Sequence, residues 1–134
     1  MSDRIIVWPD TRFATRCLVR PRSEAILQEQ CVAIMTLMKE NFFHCPNGGK
    51  RSKASGARLK RMGVRAGVPD LLIFRERSPV VNIAIELKVP SGRGRLSSQQ
   101  TDWLCVLANC GFYAHVIDNM IDFCKAVGYS YEEI

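Results

Sequence analysis

The chain has few histidines and lacks the spaced ligand pairs that soft-metal sites and dithiol redox centres are built from. It has two histidines, and its six cysteines (17, 31, 45, 105, 110 and 124) include no CxxC pair. No cysteine and histidine stand at finger-like spacing, and the adjacent His44 and Cys45 have poor geometry for sharing an ion. A zinc finger and a dithiol redox motif are therefore excluded. The thiols read as reduced cysteines of a cytoplasmic protein. No apolar run approaches the ~18 residues that a membrane helix needs. The N-terminal "MSDRIIVWPD" has acids and a proline where a secretory signal is apolar, so none is expected. Repeats and low-complexity linkers are also missing, and 134 residues suit a single domain over 1–134. The last absence is of acids: from Lys50 to Arg65 there are seven Lys or Arg and no Asp or Glu.

The rest of the composition is ordinary. The chain is 47% hydrophobic and 24% charged, enough apolar material for a modest core. Its net charge of +6 is unevenly placed, because the last seventeen residues hold four acids and one lysine. A basic block among glycines and serines is the footprint of a polyanion partner, with a merely solvated charged face as the alternative.

Residues 1–20 read as an extension of unclear role, in which "RIIVW" has strand character and Pro9 breaks it. Beyond them, Ser23 is placed to cap a helix predicted from about 24 to 42. Leu27, Cys31, Ile34, Met35, Met38 and Phe42 form its apolar stripe. At ~100° per residue Glu24 projects onto that stripe, while Glu29 and Glu40 point away. A short extended piece, "FHCP", precedes an Asn-Gly-Gly turn and a short basic helix, "ASGARLKRM", stopped by Gly63. "GVPDLLIF" and "VVNIAIELKV" then predict an antiparallel hairpin whose second strand is apolar enough to sit centrally. Ser97 or Ser98 begins a helix to about 110 with Trp103, Leu107 and Cys110 on its stripe and Gln100 on the same side. "FYAHVI" gives a last strand and "NMIDFCKAVG" a last helix. The order α, β, β, β, α, β, α predicts an α/β fold, a mixed sheet flanked by helices.

Side chains alternate along a strand, so Glu86 and Lys88 share a face. If the hairpin brings Asp70 to the far end of its partner, Asp70, Glu86 and Lys88 cluster at one edge of the sheet. Two unpaired carboxylates beside a buried sheet are costly, and a hard cation such as Mg²⁺ or Mn²⁺ offsets that cost. Glu24 is placed to supply a third carboxylate. Alternatively, Lys88 forms a plain ion pair with Glu86 or Asp70, and the residues alone leave both readings open.

"PD" at 69–70 followed after fifteen residues by "ELK" at 86–88 resembles the PD-(D/E)XK nuclease superfamily. More narrowly, the chain is similar to the VRR-NUC (virus-type replication-repair nuclease) family. The similarity lies in "SEAILQEQ" (23–30), "PNGGKRS" (46–52), "GVRAGVPDLLIF" (63–74), "IAIELKVPSGRGRLSSQQTDWLCVLANCGF" (83–112) and the final strand and helix, together about 23–127. The resemblance implies a restriction-endonuclease-like core and a divalent metal at Asp70 and Glu86, helped by the backbone carbonyl of Leu87. It makes Lys88 the catalytic lysine and places Gln100, the glutamine of "LSxxQ", near the active site. The acid of the first helix maps onto Glu24 in preference to Glu29. It implies phosphodiester hydrolysis on branched DNA, with no organic cofactor and no membrane. The small stand-alone members of the family, encoded by phages, resemble Holliday-junction resolvases that act as homodimers, and this chain looks like that kind; if phage-encoded, it would work in the host cytoplasm. A four-way junction has two-fold symmetry, and a C2 dimer supplies two matching incisions. Trp8, Phe42, Phe43 and the N-terminal strand are candidates for the dimer surface. Lys50, Arg51, Lys53, Arg58, Lys60 and Arg61, with Arg93 and Arg95 in the "SGRGR" loop, are the expected phosphate contacts, which give affinity and salt dependence more than sequence reading. His44 and His115 are expected to be structural.

Overall fold

The computed structural model describes residues 4–46, 52–76, 81–88 and 95–131. Within them lie eleven elements in the order β1 (Arg4–Ile6), α1 (Thr11–Leu18), α2 (Glu24–Leu37), β2 (Asn41–His44), α3 (Lys53–Arg61), β3 (Leu71–Phe74), β4 (Ile83–Leu87), α4 (Ser98–Asn109), β5 (Tyr113–Ile117), α5 (Met120–Val127) and β6 (Tyr129–Tyr131). Four strands form a mixed sheet in the order β2-β3-β4-β5, and β1 pairs in parallel with β6 in a second, two-stranded sheet.

The expected hairpin is present. β3 and β4 are antiparallel, with Leu71 opposite Ile85 and Ile73 opposite Ile83. β4 and β5 are parallel, joined through α4, and every residue of β4 is buried, as a central strand requires. One face of the sheet presents Leu71, Ile73, Ile83, Ile85, Leu87 and Ile117 to Leu27, Cys31, Ile34 and Met35 of α2 and to Met120, Phe123, Cys124 and Val127 of α5. Alternation sends Leu72, Ala84 and Glu86 to the opposite face, where α4 lies against β5. α4 covers that face sparsely. Trp103 and Leu107 are only partly buried, and Cys110, expected on the stripe, is the exposed C-cap.

Ser23 caps α2 as the sequence predicts, its hydroxyl accepting from the Ile26 N–H at 3.1 Å. The helix ends at Leu37 and not near 42, because Lys39 turns into the left-handed region (φ 57°). The aromatic run at the predicted end of the helix pairs as β2 instead, from Asn41 opposite Phe74 to His44 opposite Leu71. Sheet pairing overrides the helical spacing of Phe42 here. The change of direction also reverses Glu40. Expected to face solvent, its side chain is 3% exposed and pairs with Arg4 and with Arg75, whose Nε lies 3.1 Å away. Arg75 also donates to the Val127 carbonyl at 2.6 Å, so the cluster ties β1, β3 and α5 together.

The order read from the sequence lacked β1, α1, α3 as a firm element, and β6. Residues 4–18, whose role the sequence leaves unclear, contribute to the core. Ile6, Ala14 and Cys17 are buried in the core, Trp8 packs on Phe13 and Tyr131, and Asp10 caps α1 by accepting from the Phe13 N–H at 2.7 Å. Among the described residues no helix is long and apolar enough to cross a membrane.

Candidate active site

The hairpin register decides where the acids meet. With Leu71 opposite Ile85, Asp70 stands just beyond β3 opposite Glu86, on the face that α4 covers. The Asp70 carboxylate accepts the Leu87 N–H at 2.8 Å, which pins it to the neighbouring strand. The Asp70 carbonyl accepts from the Cys45 N–H at 3.1 Å, and His44 Nδ1 lies 2.7 Å from it, extending the β2 ladder. Glu86 is buried, at 3% exposure, and unlike the buried Glu40 carboxylate it has no arginine beside it among the described residues. Lys88 follows on the same face, its Nζ 3.9 Å from Glu86 Oε1.

Gln100 links these groups. Its Nε2 donates to Glu86 Oε1 at 2.7 Å, and its Oε1 accepts from Lys88 Nζ at 3.2 Å. The same Oε1 accepts the Ser97 N–H at 2.9 Å while Ser97 Oγ accepts the Gln100 N–H, a complete capping box at the start of α4. The cap that starts the helix thus fixes the side chain that orients Glu86 and Lys88. Capping chemistry in "LSSQQ" foretells the helix start; the reach to β4 depends on tertiary packing.

Gly67 explains how α4 comes so close. Its φ is +87°, and a Cβ there would lie 2.6 Å from the Gln99 carbonyl carbon and 2.8 Å from the Gln100 nitrogen. Only glycine lets the "GVPD" turn rest on the first turn of α4. Nothing in the sequence around Gly67 singles it out, since the residues that press on it, Gln99 and Gln100, come thirty-two and thirty-three positions later.

The electrostatics suit a cation. Burial, then the neighbouring Asp70 charge, pushes Glu86 up to about 7; Glu24 adds to the rise and Lys88 opposes it. Burial also raises Asp70, against the lowering effects of the Leu87 N–H, His44 and Lys88. One ammonium therefore faces two close carboxylates, so the plain ion pair leaves negative charge over. Glu24 is exposed in the first turn of α2 and acts on Glu86 through space. Among the described residues no three of His, Cys, Asp and Glu gather closely enough to hold a metal by themselves. Two carboxylates fit Mg²⁺ or Mn²⁺ all the same, since Mg²⁺ keeps waters and takes one or two protein carboxylates. Of the basic candidates, Lys53, Arg58, Lys60 and Arg61 lie exposed on α3 and Arg95 is exposed before α4; Lys50, Arg51 and Arg93 lie outside the described residues.

Comparison with known proteins agrees with this geometry. The VRR-NUC domain family matches residues 15–120. A solved structure described as a VRR_NUC domain protein superposes with a TM-score of 0.63 at 22% identity, over 85% of this chain and 96% of that one. Among curated proteins no sequence matches. With the family's domain covering residues 15–120 and the sheet, helices and acidic edge arranged as described, this chain belongs to the VRR-NUC family and has the PD-(D/E)XK nuclease fold.

Proposed function

We propose that the chain is a divalent-metal-dependent endonuclease that hydrolyses phosphodiesters in branched DNA, with the four-way junction as its first substrate and a homodimer as its working form. The observation that carries the reading is the opposition of Asp70 and Glu86 across β3 and β4, with Lys88 and Gln100 bound around them. Asp70, Glu86 and the Leu87 carbonyl would hold Mg²⁺ or Mn²⁺, with Glu24 facing the same charge. A bound divalent ion supplies Lewis acidity toward a phosphoryl oxygen and lowers the pKa of water at the site.

The protein's own groups do the rest. Lys88 Nζ stands beside the carboxylates as a fixed positive charge, placed to stabilise the negative charge that develops on the phosphoryl oxygens. Gln100 holds Glu86 and Lys88 in one relative position, so neither must reorganise when DNA binds. The cations of α3, with Lys50, Arg51, Arg93 and Arg95, would grip the phosphate backbone. A two-fold dimer answers the two-fold symmetry of a junction. Of the expected dimer candidates, Phe43 supports the idea best: it is half exposed and stacked on Phe74, whereas Trp8 and β1 are engaged within the chain. The six free thiols suit a reducing cytoplasm.

The test is cleavage of four-way, flap and linear DNA by purified protein in Mg²⁺ and in Mn²⁺, beside Glu86→Ala and Lys88→Ala. Junction cleavage that both substitutions abolish is expected. Preference for flaps would move the substrate and keep the site; cleavage unchanged by either substitution would leave only a DNA-binding protein with this fold.

A further inference from the structure

A cleft of about 450 Å³ opens between α3, the loop that follows it and the first turns of α4. Its apolar walls come from Leu59, Val64 and Trp103, and its cationic rim from Lys60 and Arg65. Gln99 also lines it, one residue before the Gln100 that holds Glu86 and Lys88. The cleft therefore adjoins the catalytic cluster, on the same turn of α4.

The lining chemistry defines the occupant. The stretch around Lys60 and Arg65 contains no acid from Lys50 to Arg65, so an anionic ligand is favoured. Trp103 is partly exposed, stands three residues after Gln100 on the same side of α4, and among the described residues makes no ring contact. An indole face beside two cations matches a planar aromatic group carried on a phosphate chain. The volume lies in the range of small-molecule pockets, room for an unstacked base but not for a stacked helix. We propose that this cleft takes an unstacked nucleotide of single-stranded DNA next to the scissile phosphate, with Trp103 stacking on the base and Lys60 and Arg65 holding its phosphates. The proposal rests on the nuclease reading above and gives it a means of selecting branch points, where bases leave the stack.

Binding is testable without cleavage. The chain has two tryptophans, so Trp8→Phe leaves Trp103 as the sole indole reporter. Titrated with a short oligothymidylate in EDTA, its fluorescence should be quenched saturably and the effect should weaken with salt. A blunt duplex should quench far less. Trp103→Ala should weaken oligothymidylate binding roughly 5- to 100-fold, Trp103→Phe much less, and Lys60→Ala should flatten the salt dependence. If Trp8→Phe does not fold, fluorotryptophan in the otherwise unchanged chain gives two ¹⁹F signals, assigned with Trp103→Phe. Oligothymidylate that binds without moving the Trp103 signal, or binds Trp103→Ala as tightly, overturns the proposal. Quenching in a protein that never cleaves DNA would sustain the pocket and sink the nuclease reading; cleavage without quenching would do the reverse.

Discussion

Gln100 shows how much can depend on one amide. Its side chain accepts from Ser97 and Lys88 and donates to Glu86, so replacing it acts on both a helix start and the proposed catalytic arrangement. Gln100→Glu separates the two. A glutamate serves a capping box as well as glutamine does, but it faces Glu86 with another negative charge and no donor. We expect Gln100→Glu to keep the α4 cap but lose roughly 1–3 kcal/mol through the missing donor to Glu86, while DNA cleavage falls roughly 10- to 100-fold, as for other groups that orient metal ligands. Gln100→Ala should lose both, seen by thermal melting beside a cleavage assay. Glu86 gives a second prediction at this scale. Its carboxyl titrates near 7 in the fold against an ordinary 4.5, so the folded chain keeps a proton that the unfolded chain has released. Its contribution to stability is full below about 4.5 and is lost as pH rises through 7. In EDTA, Glu86→Gln should therefore gain on the order of 1–3 kcal/mol relative to wild type between pH 5 and pH 8. Burial, Asp70, Lys88 and Glu24 all bear on this group, and a flat difference across that range would mean that they do not shift it. Mg²⁺ or Mn²⁺ should raise the melting temperature of wild type at pH 8 and leave Glu86→Gln almost unmoved.

Among elements, the sensitive junction is where the "GVPD" turn meets α4. Gly67 and Gly63 both have positive φ, but a Cβ at Gly63 meets open space whereas one at Gly67 meets the α4 backbone. Gly63→Ala should lose only the conformational term, about 1–2 kcal/mol. Gly67→Ala should lose more, because backbone must move and Gln100 moves with it. Urea unfolding of the pair, read beside cleavage, checks this: activity should fall for Gly67→Ala and hold for Gly63→Ala. Equal losses would mean that the contact does not position the site. Helix α2 carries a related lesson. Its start was legible because Ser23 caps it, but its end was not, since Met38 and Phe42 keep helical spacing beyond Leu37 and only pairing with β3 makes Asn41–His44 a strand.

At the scale of the whole molecule, the buried Glu40 joins the two sheets. It pairs with Arg4 of β1 and with Arg75 after β3, and Arg75 reaches the end of α5. Glu40→Ala would leave Arg75, whose side chain is 17% exposed, without its counter-charge, and we expect a loss of about 3 kcal/mol in chemical unfolding. The cluster lies at the far end of β3 from Asp70, so DNA cleavage by the protein that remains folded should be near normal. A loss under about 0.5 kcal/mol would mark the pair as a surface interaction. Nothing near Glu40 in the sequence signals this role, because its partners lie thirty-five and thirty-six residues away.

What the sequence determined by itself is whatever depends on near neighbours: capped helix starts at Ser23 and at Ser97 or Ser98, the hairpin, the shared face of Glu86 and Lys88, and the motif that marks the family. Alternation and capping act within a few residues, so one dimension suffices to read them. What only the tertiary structure decided depends on register and contact across the chain. Asp70 comes opposite Glu86 because Leu71 pairs with Ile85, Gln100 reaches Glu86 and Lys88 because Gly67 has no side chain, and residues 4–18 enter the core because β1 pairs with β6. Such contacts are selected by the packing of the whole core, and no local spacing encodes them.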